Sequence, residues 1–391
     1  MIKPTYAPDL FTPAAIKSPH RHYQAMRAIA PLVWLEATGC WATTTYAAAT
    51  DVLARHDCFV SGQGVSLNDT TNKMLVGSTL NSDGEAHSQR KKVSIRPLMP
   101  KNVSLLEPQI RAASHALVSH LPQRVEAVSQ IAQHLPLNIV TQLVGLPQGR
   151  EQDMLTWAAA TFNFMGPAND IAKAHEAGMS ELRAFITDPE TERRLSPDGW
   201  AAALFAAEAA GRIPAGWANE QMRDYLNPSL DTTIAATAFG LMLFAKNPDQ
   251  WDSLRQNPDR ISNAVEEIVR LCTPIRGLSR HVNHDTEVCG VPLSQGDRVW
   301  VLFAAANRDP SVFSLPDDFD VTRQTSRHLG FGQGKHFCLG MHLARAEMRI
   351  LLETLVGRVK RFHLDGEPEV SLNNIIYGLS KLPLRMEFDA S

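Results

Sequence analysis

Cysteine is scarce in this chain, and no cysteine is spaced to work with another. Cys40, Cys58, Cys272, Cys289 and Cys338 are five in number and include no C-x-x-C pair. That pattern argues against a disulfide framework or a structural zinc site and fits reduced thiols. Long apolar runs are missing too: the longest, near residues 234–245, is too short to span a bilayer. The N-terminal MIKPTYAPDLFTPAAIKSPH has prolines where a signal peptide would have an apolar core. Neither charge dominates. Lys+Arg 38 against Asp+Glu 41 leaves a formal charge of -3, which carries no global nucleic-acid or membrane-surface signature. No Gly/Ser linker, charge run, low-complexity tract or internal repeat divides the 391 residues. The expectation is a soluble cytoplasmic protein, residues 1–391 forming one unit, without nucleic acid or membrane.

What is present is mostly helical periodicity. Apolar residues recur three or four apart over 105–121, 125–144, 152–165, 171–186, 219–246, 248–256, 261–272 and 339–359. Strand patterns are short: 33–35 with 40–44 and 286–289 with 291–293 read as hairpins, followed by 298–303, and 362–364 can pair with 383–388. The chain reads as mainly α with small sheets towards both ends.

One stretch stands apart. LGFGQGKHFCLGMHLARAEMRI, residues 329–350, alternates Gly330, Gly332 and Gly334 ahead of Cys338 and then enters a helical pattern. Glycine there allows tight turns and close backbone approach. A cysteine at the mouth of a helix faces unpaired N–H groups and the positive end of the dipole, which lowers its pKa and favours the thiolate. A thiolate is a nucleophile or a metal ligand. As a nucleophile it would need His336 or His342 as base, without any local signature of a cysteine hydrolase. As zinc ligands, His336, Cys338 and His342 lack a nearby fourth.

Phe331-Gly332-Gln333-Gly334-Lys335-His336-Phe337-Cys338-Leu339-Gly340 resembles the haem-binding loop of the cytochrome P-450 family. The resemblance implies that fold: a large helical domain with small β-sheets, and haem between the central helix and the helix after the cysteine. It implies haem b, with the iron held axially by Cys338, Phe331 shielding the sulfur, His336 reaching a propionate and Gly340 letting the helix pack near the porphyrin. Thiolate ligation pushes electron density onto the metal and favours O–O cleavage.

Further motifs follow in the family's order. Glu267 and Arg270 match its E-x-x-R, one helical turn apart; alone this spacing is an ordinary surface ion pair. The resemblance implies a buried pair joined by Arg323, with a structural role. Asp231-Thr232 falls where the family crosses the oxygen-binding face, where an acid followed by a hydroxyl relays protons; by itself it could be a helix cap. Pro228 and Ser229 depart from the small residues usual there, and proline kinks a helix. His87, Lys91 and Arg280 complete the implied propionate partners, with lysine in the place of the usual arginine.

Ser61 to Asp69, Thr161 to Pro167 and Gly378 to Pro383 are most similar to the bacterial subgroup that oxidises or O-demethylates para-substituted benzoates. The pocket residues this implies are Phe162, Met165, Arg223, Asp224, Asn227, Ser229, Leu278 and Ser279. Asp224 beside Arg223 opposes a carboxylate, and Arg276 is either an anion anchor or a surface charge. The implied reaction is a monooxygenation of a small aromatic substrate using O2 and two electrons. Other readings are a neutral aromatic or terpenoid substrate, a haem sensor without turnover, or a peroxide-driven oxygenase. With no GxGxxG after a strand and no cysteine cluster, electrons must come from a separate ferredoxin and its NAD(P)H-dependent ferredoxin reductase. The candidate docking residues are Arg90, Lys91, Lys92, Arg96, Lys335 and Arg345.

Overall fold

The computed structural model describes residues 3–389. The helix Asp231–Lys246 runs through the centre, and every residue from Thr233 to Met242 is buried. Its apolarity all round is that of a core helix, not of an amphipathic surface helix. Ile261–Cys272 crosses it, burying Ile261, Ala264, Val265, Ile268 and Val269 at helical spacing. The two approach closely at Gly240, where a Cβ would lie 2.8 Å from the Ile268 Cδ1. Met341–Val356, the helix after Cys338, packs along Pro100–Ser119 and also against Ile261–Cys272.

A six-stranded sheet takes the order Thr5–Tyr6, Leu32–Leu35, Cys40–Thr43, Arg298–Val301, Leu278–Val282, Phe59–Val60. Side chains alternate across it, which decides what the strand Leu278–Val282 offers to each face. Val359–Leu364, Pro383–Phe388 and Arg124–Glu126 form a smaller sheet. Thr286–Val288 and Val291–Leu293 pair through Cys289 and Gly290, at φ 48° and 82°, the left-handed pair that a two-residue hairpin turn requires.

Four expected elements change. The pattern over 219–246 is two helices, Trp217–Leu226 and Asp231–Lys246. Pro228 lacks the N–H that would continue the ladder, and the Thr232 hydroxyl donates instead to the Pro228 carbonyl at 3.0 Å. By length and composition the whole stretch Trp217–Lys246 could cross a membrane, but 67% of its apolar window is buried inside the fold. The span 125–144 opens as the strand Arg124–Glu126 before turning helical, because Val125 pairs with Leu384. The span 171–186 divides into Asp170–Lys173 and Glu176–Thr187. The final helix stops at Val356, and Val359 begins a strand.

Candidate active site

The central helix, the cysteine loop, the strand Leu278–Val282 and the helices Gly84–Ser94 and Glu151–Met165 enclose one cavity. Phe162, Met165, Arg223, Asp224, Asn227, Ser229, Thr232 and Leu278 line it, as do His87, Lys91, Arg280, Phe331, His336, Cys338 and Gly340. Residues far apart in sequence thus meet in one space.

The loop that presents Cys338 is built by backbone. Gly332 and Gly334 sit at φ 72° and 76°, and a Cβ on Gly334 would lie 2.9 Å from the Leu53 carbonyl oxygen. The Cys338 N–H donates to the Phe331 carbonyl at 3.0 Å, closing the loop. The sulfur receives the backbone N–H groups of Gly340 and Met341, while burial pushes the thiol pKa up. This corrects the expectation of a lowered value. The two amide dipoles favour the thiolate and desolvation by the surrounding loop opposes it. A Cβ on Gly340 would meet no protein atom within 4 Å; its side faces cavity space.

Along one edge of the cavity, groups of one sign gather. The rings of His87 and His336 stack 4.2 Å apart, and Lys91 and Arg280 line the same edge. Burial, followed by the neighbouring His336 and Lys91 charges, depresses His87 to about 4, and burial lowers Arg280 to about 10. Lys91 donates to the Lys335 carbonyl at 2.6 Å and Arg280 to the Ser279 carbonyl at 2.8 Å. Asp83, 3.7 Å from His336, is the one acid in salt-bridge reach of this group among the described residues. Four donors that cannot all hold their protons make a seat for added negative charge. The two carboxylates of a haem would be held along this edge by His87, Lys91, Arg280 and His336, and Cys338 and Phe331 line the same cavity.

Glu267 and Arg270 are wholly buried and bonded twice, at 2.7 and 2.8 Å, and the Arg323 Nε reaches the same carboxylate at 3.0 Å. Arg270 also donates to the carbonyls of Asn307 and Pro316, and Arg323 to those of Leu315 and Asp318. The triad therefore pins the segment leading to the cysteine loop.

Asp231 does not line the cavity, while its neighbour Thr232 does. Burial raises the Asp231 carboxyl to about 7, so it holds and releases a proton near neutrality. The Ser229 hydroxyl is taken by the Tyr225 carbonyl. Ser279 turns away from the cavity and donates to the Ser66 carbonyl at 2.9 Å; strand alternation sends it opposite to Leu278 and Arg280, which removes it from the pocket. Asp224 is half-buried, with Ser94 donating to it at 3.0 Å and Thr79 through both hydroxyl and backbone, and desolvation raises its pKa. Arg223 donates to the Met74 carbonyl at 2.5 Å.

Two docking candidates also move. Arg90 is buried, ion-paired with Glu220 at 3.0 Å and stacked on Trp217. Arg345 pairs with Glu266 at 2.6 Å. That pair went unseen in the sequence: Glu266 also binds His328 at 2.9 Å, its pKa is held at about 2, and Arg345 and His328 both flank the Phe331 ring. Glu347 was missed as well. It lines the cavity from the cysteine helix with one buried oxygen unpartnered, and burial pushes it to about 8. Its place nine residues after Cys338, on the inward helical stripe, was the available signal.

Comparison with known proteins gives the same picture. The family model described as Cytochrome P-450 matches residues 206–388. Cytochrome P-450 CYP199A2 of Rhodopseudomonas palustris is 29% identical over 384 residues, covering 97% of this chain and 93% of the relative. Linalool 8-monooxygenase of Pseudomonas putida is 30% identical over 404 residues, covering 96% of each. The crystal structure of CYP108D1 from Novosphingobium aromaticivorans superposes with a TM-score of 0.81 at 26% identity, over 96% of this chain and 97% of that one.

Proposed function

We propose, for a chain that belongs to the cytochrome P-450 family, that the substrate is a small aromatic acid, a para-substituted benzoate, oxidised at its para substituent. The enzyme is a monooxygenase with haem b, whose iron is held by a cysteine thiolate; the bound haem supplies dioxygen activation and oxygen-atom insertion. Residues 1–391 act as one catalytic domain.

The observation that carries the substrate class is Arg223. It opens on the same cavity as Cys338, and its one side-chain bond is to a backbone carbonyl. The neighbouring Asp224, which would repel a carboxylate that it faced, has its carboxylate oxygens engaged by Thr79 and Ser94, which donate to it. Arg223 then holds the carboxylate, and the NH2 group of Asn227, which lines the same cavity, is the second donor beside it. Phe162, Met165 and Leu278 hold the ring. Thr232, which lines the cavity, and Asp231 beside it supply protons, with the Asp231 carboxyl poised near neutral pH. If the para group is methoxy, oxygen insertion into its C–H bond gives a hemiacetal that collapses to the phenol and formaldehyde.

Redox-partner proteins deliver the electrons. We assign this role to a separate ferredoxin and its NAD(P)H-dependent reductase in the cytoplasm, docking on the exposed Lys92, Arg96 and Lys335. A second reading, a neutral aromatic or terpenoid substrate, is favoured by the presence of Asp224 in the pocket and by the likeness to linalool 8-monooxygenase.

The test is a visible-absorbance titration of the ferric protein with 4-methoxybenzoate, an uncharged aromatic ether and a terpenoid. A low-to-high-spin shift with the benzoate alone is expected. A shift with the neutral ligands and none with the benzoate overturns the acid.

A further inference from the structure

Behind the cavity wall lies a cation that the catalytic site does not use. Arg276 is 1% exposed, among the largest fully buried side chains. Its Nη2 donates to the Asn374 carbonyl, while Nε and Nη1 have no partner. Among the described residues no carboxylate pairs with it. Such an arrangement is costly: a buried, uncompensated guanidinium destabilises a fold unless negative charge meets it, and Arg does not escape by losing its proton.

The groups around Arg276 repeat the demand. The Tyr23 hydroxyl lies beside it, and His20 is close enough for the Arg276 and Arg308 charges to act on it. The Tyr23 oxygen accepts from Arg276, which leaves its own O–H proton to donate, and both His20 ring nitrogens and the Trp300 Nε1 are buried without partners. Arg308 is already matched by Asp317 at 2.6 Å. Phe11 and Trp300 wall the guanidinium at 5.3 and 5.9 Å, and the His20 ring meets Tyr23 and Tyr377 edge-on. The Tyr23 O–H, the single N–H of the neutral His20 ring and the Trp300 N–H therefore gather around a fixed positive charge inside aromatic walls, and among the described residues no carboxylate competes for it. Buried donors without acceptors are rare in folded proteins and point to a bound species.

We propose that Arg276, with Tyr23, His20 and the Trp300 N–H, forms a buried binding site for a small monovalent anion of the chloride class. A single compact anion accepts from several donors at once and neutralises the guanidinium, which water cannot do. The site is separate from the haem edge. Pro274, Ile275 and Leu278 line the catalytic cavity, and Arg276 between them projects to the other side, its backbone N–H donating to the Ile375 carbonyl at 3.0 Å. The anion thus sits behind that wall.

The experiment melts the holoenzyme in sodium chloride, sodium bromide and sodium gluconate at matched ionic strength. A saturating rise in melting temperature with chloride and bromide, and none with the bulky gluconate, is expected. Arg276→Met should abolish the difference between salts. Equal curves in all three salts for the unaltered enzyme mean that water alone satisfies the cluster, and overturn the site. Should Arg276→Met fail to accumulate, Tyr23→Phe removes one donor and keeps the ring. It should raise the chloride midpoint several-fold, and an unmoved midpoint places the anion elsewhere and overturns the assignment.

Discussion

The Glu267 Oε2 lies 2.7 Å from the Arg270 Nε one helical turn away, and neither side chain is exposed to solvent. Removing one partner strands the other as a buried charge, at a cost of about 3–5 kcal/mol. Because Arg323 joins the same carboxylate, Glu267→Ala should do more harm than Arg323→Ala, which leaves the inner pair intact. Denaturant unfolding together with haem content checks this; equal, small losses for both would show that the triad does not hold the fold.

Glu347 gives a pH signature. Its folded pKa is raised from 4.5 to about 8, so its contribution to stability is complete below about pH 4.5 and is lost as pH rises towards 8. The loss can reach about 1.4 kcal/mol per pH unit. Glu347→Gln should flatten the stability profile between these limits and be the more stable protein at pH 8. Parallel profiles for the two proteins would contradict the burial argument.

Thr232 and Asp231 are expected to act on coupling and rate. Thr232→Ala should consume electrons without matching product. Asp231 donates when protonated, so product formation should fall as pH rises past about 7, the carboxyl's raised value. Asp231→Asn should slow turnover by about 10²-fold and erase that inflection. Full coupling in the first variant, or an unchanged pH profile in the second, would count against the relay.

Arg223 and Asp224 separate the two substrate readings. Arg223→Met should weaken 4-methoxybenzoate binding at least tenfold, about 1.4 kcal/mol, and leave a neutral ether alone. Asp224→Asn should tighten the benzoate or leave it unchanged. Tighter benzoate binding in Arg223→Met would refute the anchor.

Charge reversal of Lys92, Arg96 and Lys335 together should slow reduction by ferredoxin and reduce its dependence on salt, with substrate binding unaffected. Unchanged reduction kinetics would remove this face from docking.

The sequence made the local features legible. The periodicity of 248–256 and 261–272 matches the helices Pro248–Gln256 and Ile261–Cys272, since each is set by its own apolar stripe. The loop before Cys338 was equally clear, because its glycines answer a local backbone need. What stayed hidden depends on partners remote in the chain. Val125 looks helical by pattern and is a strand because Leu384 pairs with it. Ser279 looks like its neighbour Leu278 until the strand's two faces are known. Arg90 reads as a surface charge, and only folding brings Glu220 and Trp217 to it. Cys338 shows the limit most plainly: the helix mouth is written in the sequence, and the cavity onto which the thiol opens is not.

The most direct test of the account is the absorbance spectrum of the reduced, carbon monoxide-treated protein beside that of Cys338→His. The account predicts a thiolate-type band in the unaltered enzyme and its loss in the variant, even where haem is retained. An unaltered spectrum in Cys338→His would contradict it.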